Sequence, residues 1–223
     1  MRPWLEGTRS LERLNALAAD LGIRTESGKP VRFVPPGAED PYYEVGVFES
    51  GRVATRPENL HDWFNALAWL AFPLTKARIN ALHARELPRE TKGRRGPLRD
   101  LLTIFDEGGA IVVCTDESLL SLLANASWRS LFLENRERVL GSMRIVVFGH
   151  AVQEQALDPR PGITCKAIVL PANGLDEAAA RWLAEAPAET SPKALLPVPI
   201  FGYPGWYPGQ DSAFYEDKRY FRP

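Results

Sequence analysis

The sequence predicts an α+β fold, on three observations. A helix-favouring apolar run, PENLHDWFNALAWLAFPLTKARINALHAREL, fills residues 57–87. Short apolar runs of strand character, MRIVVF at 143–148 and ITCKAIVL at 163–170, alternate with helical patterns. From Pro187 onward periodicity gives way to Pro, Gly and aromatic residues. The expected architecture is a mixed β-sheet, a buried central helix pair and an irregular C-terminal wrap. At 223 residues the length suits one large domain or two small ones. The pattern favours a single domain over 1–223, with 1–40 as N-terminal helix and lead-in and 187–223 as the wrap.

Residues 10–21, SLERLNALAADL, read as an amphipathic helix. Ser10 caps it, Leu11, Leu14, Leu17, Ala18 and Leu21 form its inner face, and Gly22 stops it. ESGKP marks a turn, and VRFV is a short strand. In YYEVGVFESGRVATR, residues 42–56, the alternation of Tyr43, Val45 and Val47 predicts a β-hairpin turning at Ser50-Gly51.

The central stretch then reads as two helices. Asn59 caps the first, which runs from about His61 to Phe72. Trp63, Phe64, Leu67, Trp69, Leu70 and Phe72 cover most of its circumference, the mark of a buried helix. His61 and Asn65 share one face of it. Pro73 ends the first helix and suits the start of a second, from about Leu74 to Arg85. On that helix Lys76, Asn80 and His83 fall in one stripe. An unpaired buried polar group costs about 1–3 kcal/mol, so these side chains need the backbone, each other, a metal or a ligand.

Residues 88–97, PRETKGRRGP, form a basic loop. Arg89, Lys92, Arg94 and Arg95 could contact phosphate, but no aromatic residue is interleaved with them, which favours a solvated loop. LLTIFDEGGAIVVCTD, residues 101–116, reads as two strands joined at Asp106-Glu107-Gly108-Gly109. Glu107 there suits a turn, while Asp106 can point inward. Residues 117–140 read as two helices, with Ser127 as N-cap of the second and the charges from Arg129 to Arg138 on a solvated face. MRIVVFGHAVQEQAL is a strand feeding a helix, with Gly149-His150 at the corner, a position suited to chemistry. The last patterned helix is LDEAAARWLAEA, residues 175–186. The aromatics beyond it would be stranded in water unless the tail packs on the body or lines a ligand pocket.

A net charge of −1 gives no global pull toward nucleic acid or acidic membranes. No apolar run of membrane-spanning length and no leader pattern is visible. Cys114 and Cys165 belong to no CxxC pair and read as buried free thiols of a cytosolic protein. The glycine-rich nucleotide, zincin and hydrolase signatures are absent.

The run HDWFNALAWLAFPLTKARINALH, with LTIFDEGG, VVFGHAVQE, GYPGW and the closing FYEDKRYFRP, resembles a bacterial family catalogued as domain of unknown function 3025. The resemblance extends from about residue 40 to the C-terminus, with Leu60 where many members would carry tryptophan. It implies a bacterial, cytoplasmic protein of one domain. It transfers no activity and no catalytic residues.

Only three histidines are present, His61, His83 and His150, each in a strongly patterned stretch. With Asp62, Asp106 and Glu154 they have the composition of a His/carboxylate centre for a divalent metal such as zinc, manganese or iron. A metal-free site is the other arrangement. There His61 acts as general base, Asp62 or Asp106 orients it, and Lys76 and Arg56 hold an anion. The sequence therefore points to a hydrolase, metal-assisted or metal-free, with His61, Asp62, Asn65, Asp106 and His150 as catalytic candidates. Arg56, Lys76, Asn80 and Trp206 are the substrate-binding candidates, and His61, His83 and His150 the metal candidates. The competing expectation is a non-catalytic module that holds a small molecule or a protein on the aromatic tail.

Overall fold

A computed structural model describes residues 9–37, 42–89 and 95–222. Lys92 and Arg94 of the basic loop lie outside these residues. Helix α1, Leu11–Asp20, is capped by the Ser10 hydroxyl, which accepts from the Arg13 amide. It packs with α3, Leu60–Ala71, over a small apolar centre that includes Leu14, Phe33, Val53 and Trp69. Strands β1, Arg32–Val34, and β2, Arg52–Ala54, pair in parallel beside it.

Residues 42–56 do not form the expected hairpin. Tyr43–Ser50 is a helix, α2, and Gly51, with φ of 73°, is its left-handed C-cap. A Cβ at Gly51 would sit 2.2 Å from the Pro30 carbonyl oxygen, so only glycine fits that turn. Val47 is buried, and the Glu44 carbonyl accepts from Asn80 Nδ2 at 2.7 Å. Tertiary contact thus overrides the strand preference of a short alternating run.

The boundary at Pro73 falls where the sequence predicts. Asn59 caps α3 by accepting from the Asp62 amide, and α4, Pro73–Glu86, begins at the proline. The less apolar α4 is the deeper of the two helices, burying Thr75, Lys76, Ala77, Ile79, Asn80, Leu82 and His83. Its free N-terminal amides are satisfied from outside. Asp176, in the first turn of α9 (Leu175–Glu185), accepts from the Leu74 amide at 2.9 Å and from the Thr75 amide at 2.8 Å.

Residues 101–108, expected as a strand running into a turn at Asp106-Glu107-Gly108-Gly109, belong to helix α5, Pro97–Gly108. Leu98, Leu101, Leu102 and Phe105 are all buried at helical spacing. Asp106 and Glu107 therefore stand in the last turn of a helix, not in a turn between strands. Strand β3, Gly109–Cys114, follows at once. Asp116 caps α6, Glu117–Ala124, by accepting from the Ser118 and Leu119 amides. A π-helical turn over Ser130–Glu134 leads into α7, Arg136–Ser142.

The main sheet has the order β4-β3-β5-β6, with β4 at Met143–Val147, β5 at Thr164–Val169 and β6 at Leu196–Pro199. It is mixed: β3 runs antiparallel to β4 and parallel to β5, and β5 runs antiparallel to β6. One face, with Ala110, Val112, Cys165 and Ala167, packs on α6, the π-helical turn and the C-terminal tail. The other, with Ile111, Val113 and Ile168, packs on α4, α5 and α9.

The tail wraps the first face, and it also contributes β6, so it is less irregular than its prolines suggest. Pro197 and Pro199 are tolerated because β6 is an edge strand. Phe201, Tyr215, Tyr220 and Phe221 are buried. Tyr220 Oη accepts from the Phe201 amide and donates to the Ile163 carbonyl, at 2.9 and 3.0 Å. Tyr215 Oη donates to the Gly202 carbonyl at 2.8 Å, and Trp128 Nε1 to the Arg222 carbonyl at 2.7 Å. Among the described residues no helix is long and apolar enough to cross a membrane.

Candidate metal centre

Three elements converge on one cavity. Helix α3 brings His61 in its first turn, α5 brings Asp106 and Glu107 in its last turn, and α8, His150–Gln155, brings His150 at its first position. The corner before α8 is pinned by glycine. Both the Phe148 and Gly149 amides donate to the Gly109 carbonyl, at 3.0 and 2.8 Å. A Cβ on Gly149 would lie 2.5 Å from the Glu107 carbonyl oxygen. That close approach sets the His150 ring against the end of α5. His150 is buried, not exposed as its place at a strand-to-helix corner suggests.

The imidazoles have their tautomers fixed by their outer partners. His150 Nδ1 lies 2.9 Å from the Asp106 carbonyl oxygen, which can only accept, so Nδ1 carries the proton. His61 Nδ1 lies 3.3 Å from Glu154 Oε2, which as a carboxylate also accepts. Each ring thus turns its Nε2 inward, and the two Nε2 atoms are 3.1 Å apart. Glu107 Oε2 is 3.8 Å from both.

His61, Glu107 and His150 form a group whose ligand atoms all lie within 4.8 Å of one another. A point about 2.1 Å from each Nε2, on the Glu107 side, is also about 2.1 Å from Glu107 Oε2, within the range of zinc–nitrogen and zinc–oxygen bonds. The backbone carbonyl on His150 and the carboxylate on His61 are the outer partners that orient metal-ligating histidines. The His61 and Glu107 side chains are 38% and 45% exposed, which leaves room for further ligands, as catalytic metal sites require.

Burial holds the His150 imidazole down to about 4, against the pull of the Asp106 carboxylate, so the ring is neutral at pH 7. Burial pushes the Glu107 carboxyl up, and the neighbouring Asp106 and Glu154 carboxylates add to this while His61 and Lys76 oppose it. Asp106 goes the other way. Burial raises its carboxyl, but Lys76 and His150 more than offset that and leave it below its ordinary value. Lys76 Nζ donates to Asp106 Oδ1 at 2.6 Å and to Asn65 Oδ1 at 2.7 Å, and lies 5.8 Å from the Trp69 ring centre. Asn65 Nδ2 donates to Tyr43 Oη at 3.1 Å.

A cavity of about 250 Å³ opens beside the cluster, lined by His61, Lys76, Asn80, His83, Glu107 and His150 among others. Asp62 also lines it, with its carboxylate engaged by the Arg56 amide, Nε and Nη2 at 2.9, 2.7 and 3.0 Å. His83 shares the cavity but not the metal-type cluster: its Nδ1 accepts from Arg99 Nε at 3.2 Å. Trp206 lies in the tail, 5.0 Å from the Tyr203 ring, and does not line the cavity. The residues that sequence reasoning undervalued are Glu107 and Glu154. The helical spacing of Leu98, Leu101, Leu102 and Phe105 was the signal that would have put Glu107 at a helix end.

The model of a protein family described as "Protein of unknown function (DUF3025)" matches residues 31–223. No curated protein and no solved structure matches the chain.

Proposed function

The chain belongs to the DUF3025 family, whose description names no reaction, and on the site geometry we propose that it is a metal-assisted hydrolase with His61, Glu107 and His150 as ligands. One observation carries this reading. Both Nδ1 atoms are committed as donors, so two Nε2 lone pairs face each other at 3.1 Å beside a carboxylate. Such an arrangement is repulsive until a cation, a metal or a proton, lies between them. Three crowded carboxylates, Asp106, Glu107 and Glu154, favour the doubly charged choice.

Two imidazoles and one carboxylate suit zinc first, and manganese or iron(II) next. A metal held there would polarise a substrate carbonyl or phosphoryl group and acidify bound water. The protein's own residues supply the rest. Glu154 orients His61, the Asp106 carbonyl orients His150, and Glu107 has a second oxygen able to accept a proton from water. Lys76 places a buried positive charge at the cavity wall, where it can stabilise developing negative charge. Asn65 and Asp106 hold that lysine in place, as positioning residues.

The reading takes a small molecule as substrate and the bacterial cytoplasm as setting, the latter from the family resemblance. The alternative, a binding module built on the aromatic tail, has less support. Phe201, Tyr215, Tyr220 and Phe221 are buried in the fold, which leaves few rings to meet a ligand. The test is a panel of small amides, esters and phosphate esters assayed before chelation, after chelation and after zinc is restored. Turnover lost on chelation, regained with zinc and abolished in Glu107→Gln supports the proposal. Turnover indifferent to chelation, or none from fully metal-loaded protein, contradicts it.

A further inference from the structure

The ammonium group of Lys76 sets the direction of a hydrogen-bond relay that ends, unpaired, at a tyrosine. Lys76 Nζ can only donate, and it does so to Asp106 Oδ1 and to Asn65 Oδ1, at 2.6 and 2.7 Å. With its carbonyl oxygen so engaged, Asn65 presents Nδ2, which donates to Tyr43 Oη at 3.1 Å. Tyr43 Oη is therefore an acceptor in the relay, and its own proton has no acceptor among the described residues. Tyr43 lines the cavity and is 44% exposed. It stands at the first position of α2, and that helix is tied to α4 by the bond from Asn80 Nδ2 to the Glu44 carbonyl. Asn65 lies one turn beyond His61 on α3, about 5–6 Å away between Cβ atoms. The relay thus brings an uncommitted O–H to the part of the cavity that holds the metal-type cluster.

The lining of the cavity narrows the substrate. Among its described lining residues, Glu44, Asp62, Asp106 and Glu107 stand against one cation, Lys76, which is already paired with Asp106. Arg56 is likewise paired, with Asp62. Apart from a metal, a substrate that arrives negatively charged meets carboxylates and no uncommitted cation in the lining, and a neutral one escapes that repulsion. A tyrosine hydroxyl is itself uncharged, and its hydrogen bond strengthens when the accepting oxygen becomes charged. Addition of water to a carbonyl group creates such an oxygen from a neutral one. We infer that Tyr43 is a catalytic residue, the hydrogen-bond donor to the carbonyl oxygen of an uncharged acyl substrate, an ester or an amide. This rests on the hydrolase reading and names its substrate class. Water adds to the carbonyl carbon, the C=O electron pair moves onto oxygen, and the Tyr43 O–H meets the oxyanion. Glu107 takes a proton from the attacking water and passes it to the leaving alcohol or amine as the bond to the carbonyl carbon breaks.

The test is steady-state kinetics of the full chain, zinc-loaded, as wild type and as Tyr43→Phe. The substrates are para-nitrophenyl butyrate, butyryl para-nitroanilide and para-nitrophenyl phosphate, which share one chromophore. The expected result is turnover of the ester or the anilide and little of the phosphate. In Tyr43→Phe kcat falls about a hundredfold, the worth of one oxyanion donor, while KM changes by less than about threefold. Zinc content and circular dichroism are read on the same samples and should match wild type, because the substitution removes one oxygen from a partly exposed residue. A purely structural role would show there instead, without dividing kcat from KM. A folded, zinc-loaded Tyr43→Phe with wild-type kcat overturns the inference and leaves the hydrolase reading standing. Phosphate turned over as fast as the acyl compounds does the same. A zinc-loaded wild type that turns over none of them sinks the reading and this inference together.

Discussion

The Nε2 atoms of His61 and His150, 89 positions apart in the chain, face each other at 3.1 Å with Glu107 Oε2 at 3.8 Å from both. Everything the site can do follows from how α3, α5 and α8 are held in that relation, so the predictions concern the contacts that hold them.

Gly149 is the tightest of these. Gly149→Ala forces a methyl group into the Glu107 carbonyl and the Gly109 amide, both 2.5 Å from its Cβ position. Overpacking of this kind costs about 1–3 kcal/mol, and it moves α8 away from α5. Urea unfolding should show the loss of stability. Metal titration should show weakened binding, since His150 leaves its place beside Glu107.

Lys76 and Asp106 form an ion pair at 2.6 Å, with the lysine almost wholly buried. Lys76→Met leaves Asp106 charged and unpaired, at a cost of about 3 kcal/mol, the lower end for a broken buried pair because Asp106 keeps some contact with solvent. Adding Asp106→Asn should recover much of that loss. The double-mutant cycle, read by urea unfolding, measures the coupling directly.

Asp176 caps α4 from another helix. Asp176→Ala frees the Leu74 and Thr75 amides at once, while the Thr75 hydroxyl keeps the backbone carbonyl of residue 176 at 3.1 Å. The expected loss is about 1–2 kcal/mol. Asp176→Asn should retain part of it, because its single carbonyl oxygen still accepts. Thermal melting of the two variants checks the order.

Acid should destabilise the metal-free protein earlier than its carboxylates alone would require. His83 and His150 stay neutral in the fold down to about 4, while in the unfolded chain they take up protons below about 6.5. The folded state then binds fewer protons, so stability is full above that upper value and falls as pH drops toward 4. Each histidine contributes up to about 1.4 kcal/mol per pH unit inside this window. Urea midpoints between pH 7 and 5 should fall accordingly, and His83→Gln should reduce the slope. A flat profile over that range would show that the two rings are protonated without cost.

Much of this was legible in the sequence, and the exceptions have physical causes. The Asn59 cap, the break at Pro73 and the buried stripe of Lys76, Asn80 and His83 follow from local rules, and the helix pair obeys them. Residues 43–50 alternate like a strand, yet α2 forms because Val47 and the Glu44 carbonyl find partners on neighbouring elements. The mixed sheet is built from β3 to β6 without that segment, and β6 is hidden in the sequence by Pro197 and Pro199. Glu107 was obscured by Gly108-Gly109, which reads equally as a turn or as a helix stop. That His61 meets His150 while His83 turns to Arg99 is a matter of helix packing, which no local spacing encodes.

Metal content of the purified protein tests the central claim most directly. Elemental analysis of wild type, Glu107→Gln and His150→Ala should find about one equivalent of a divalent transition metal, zinc first, in the wild type. Both variants should be folded and depleted of it. A folded wild type that neither carries nor takes up such a metal, or variants that keep it, would contradict the account.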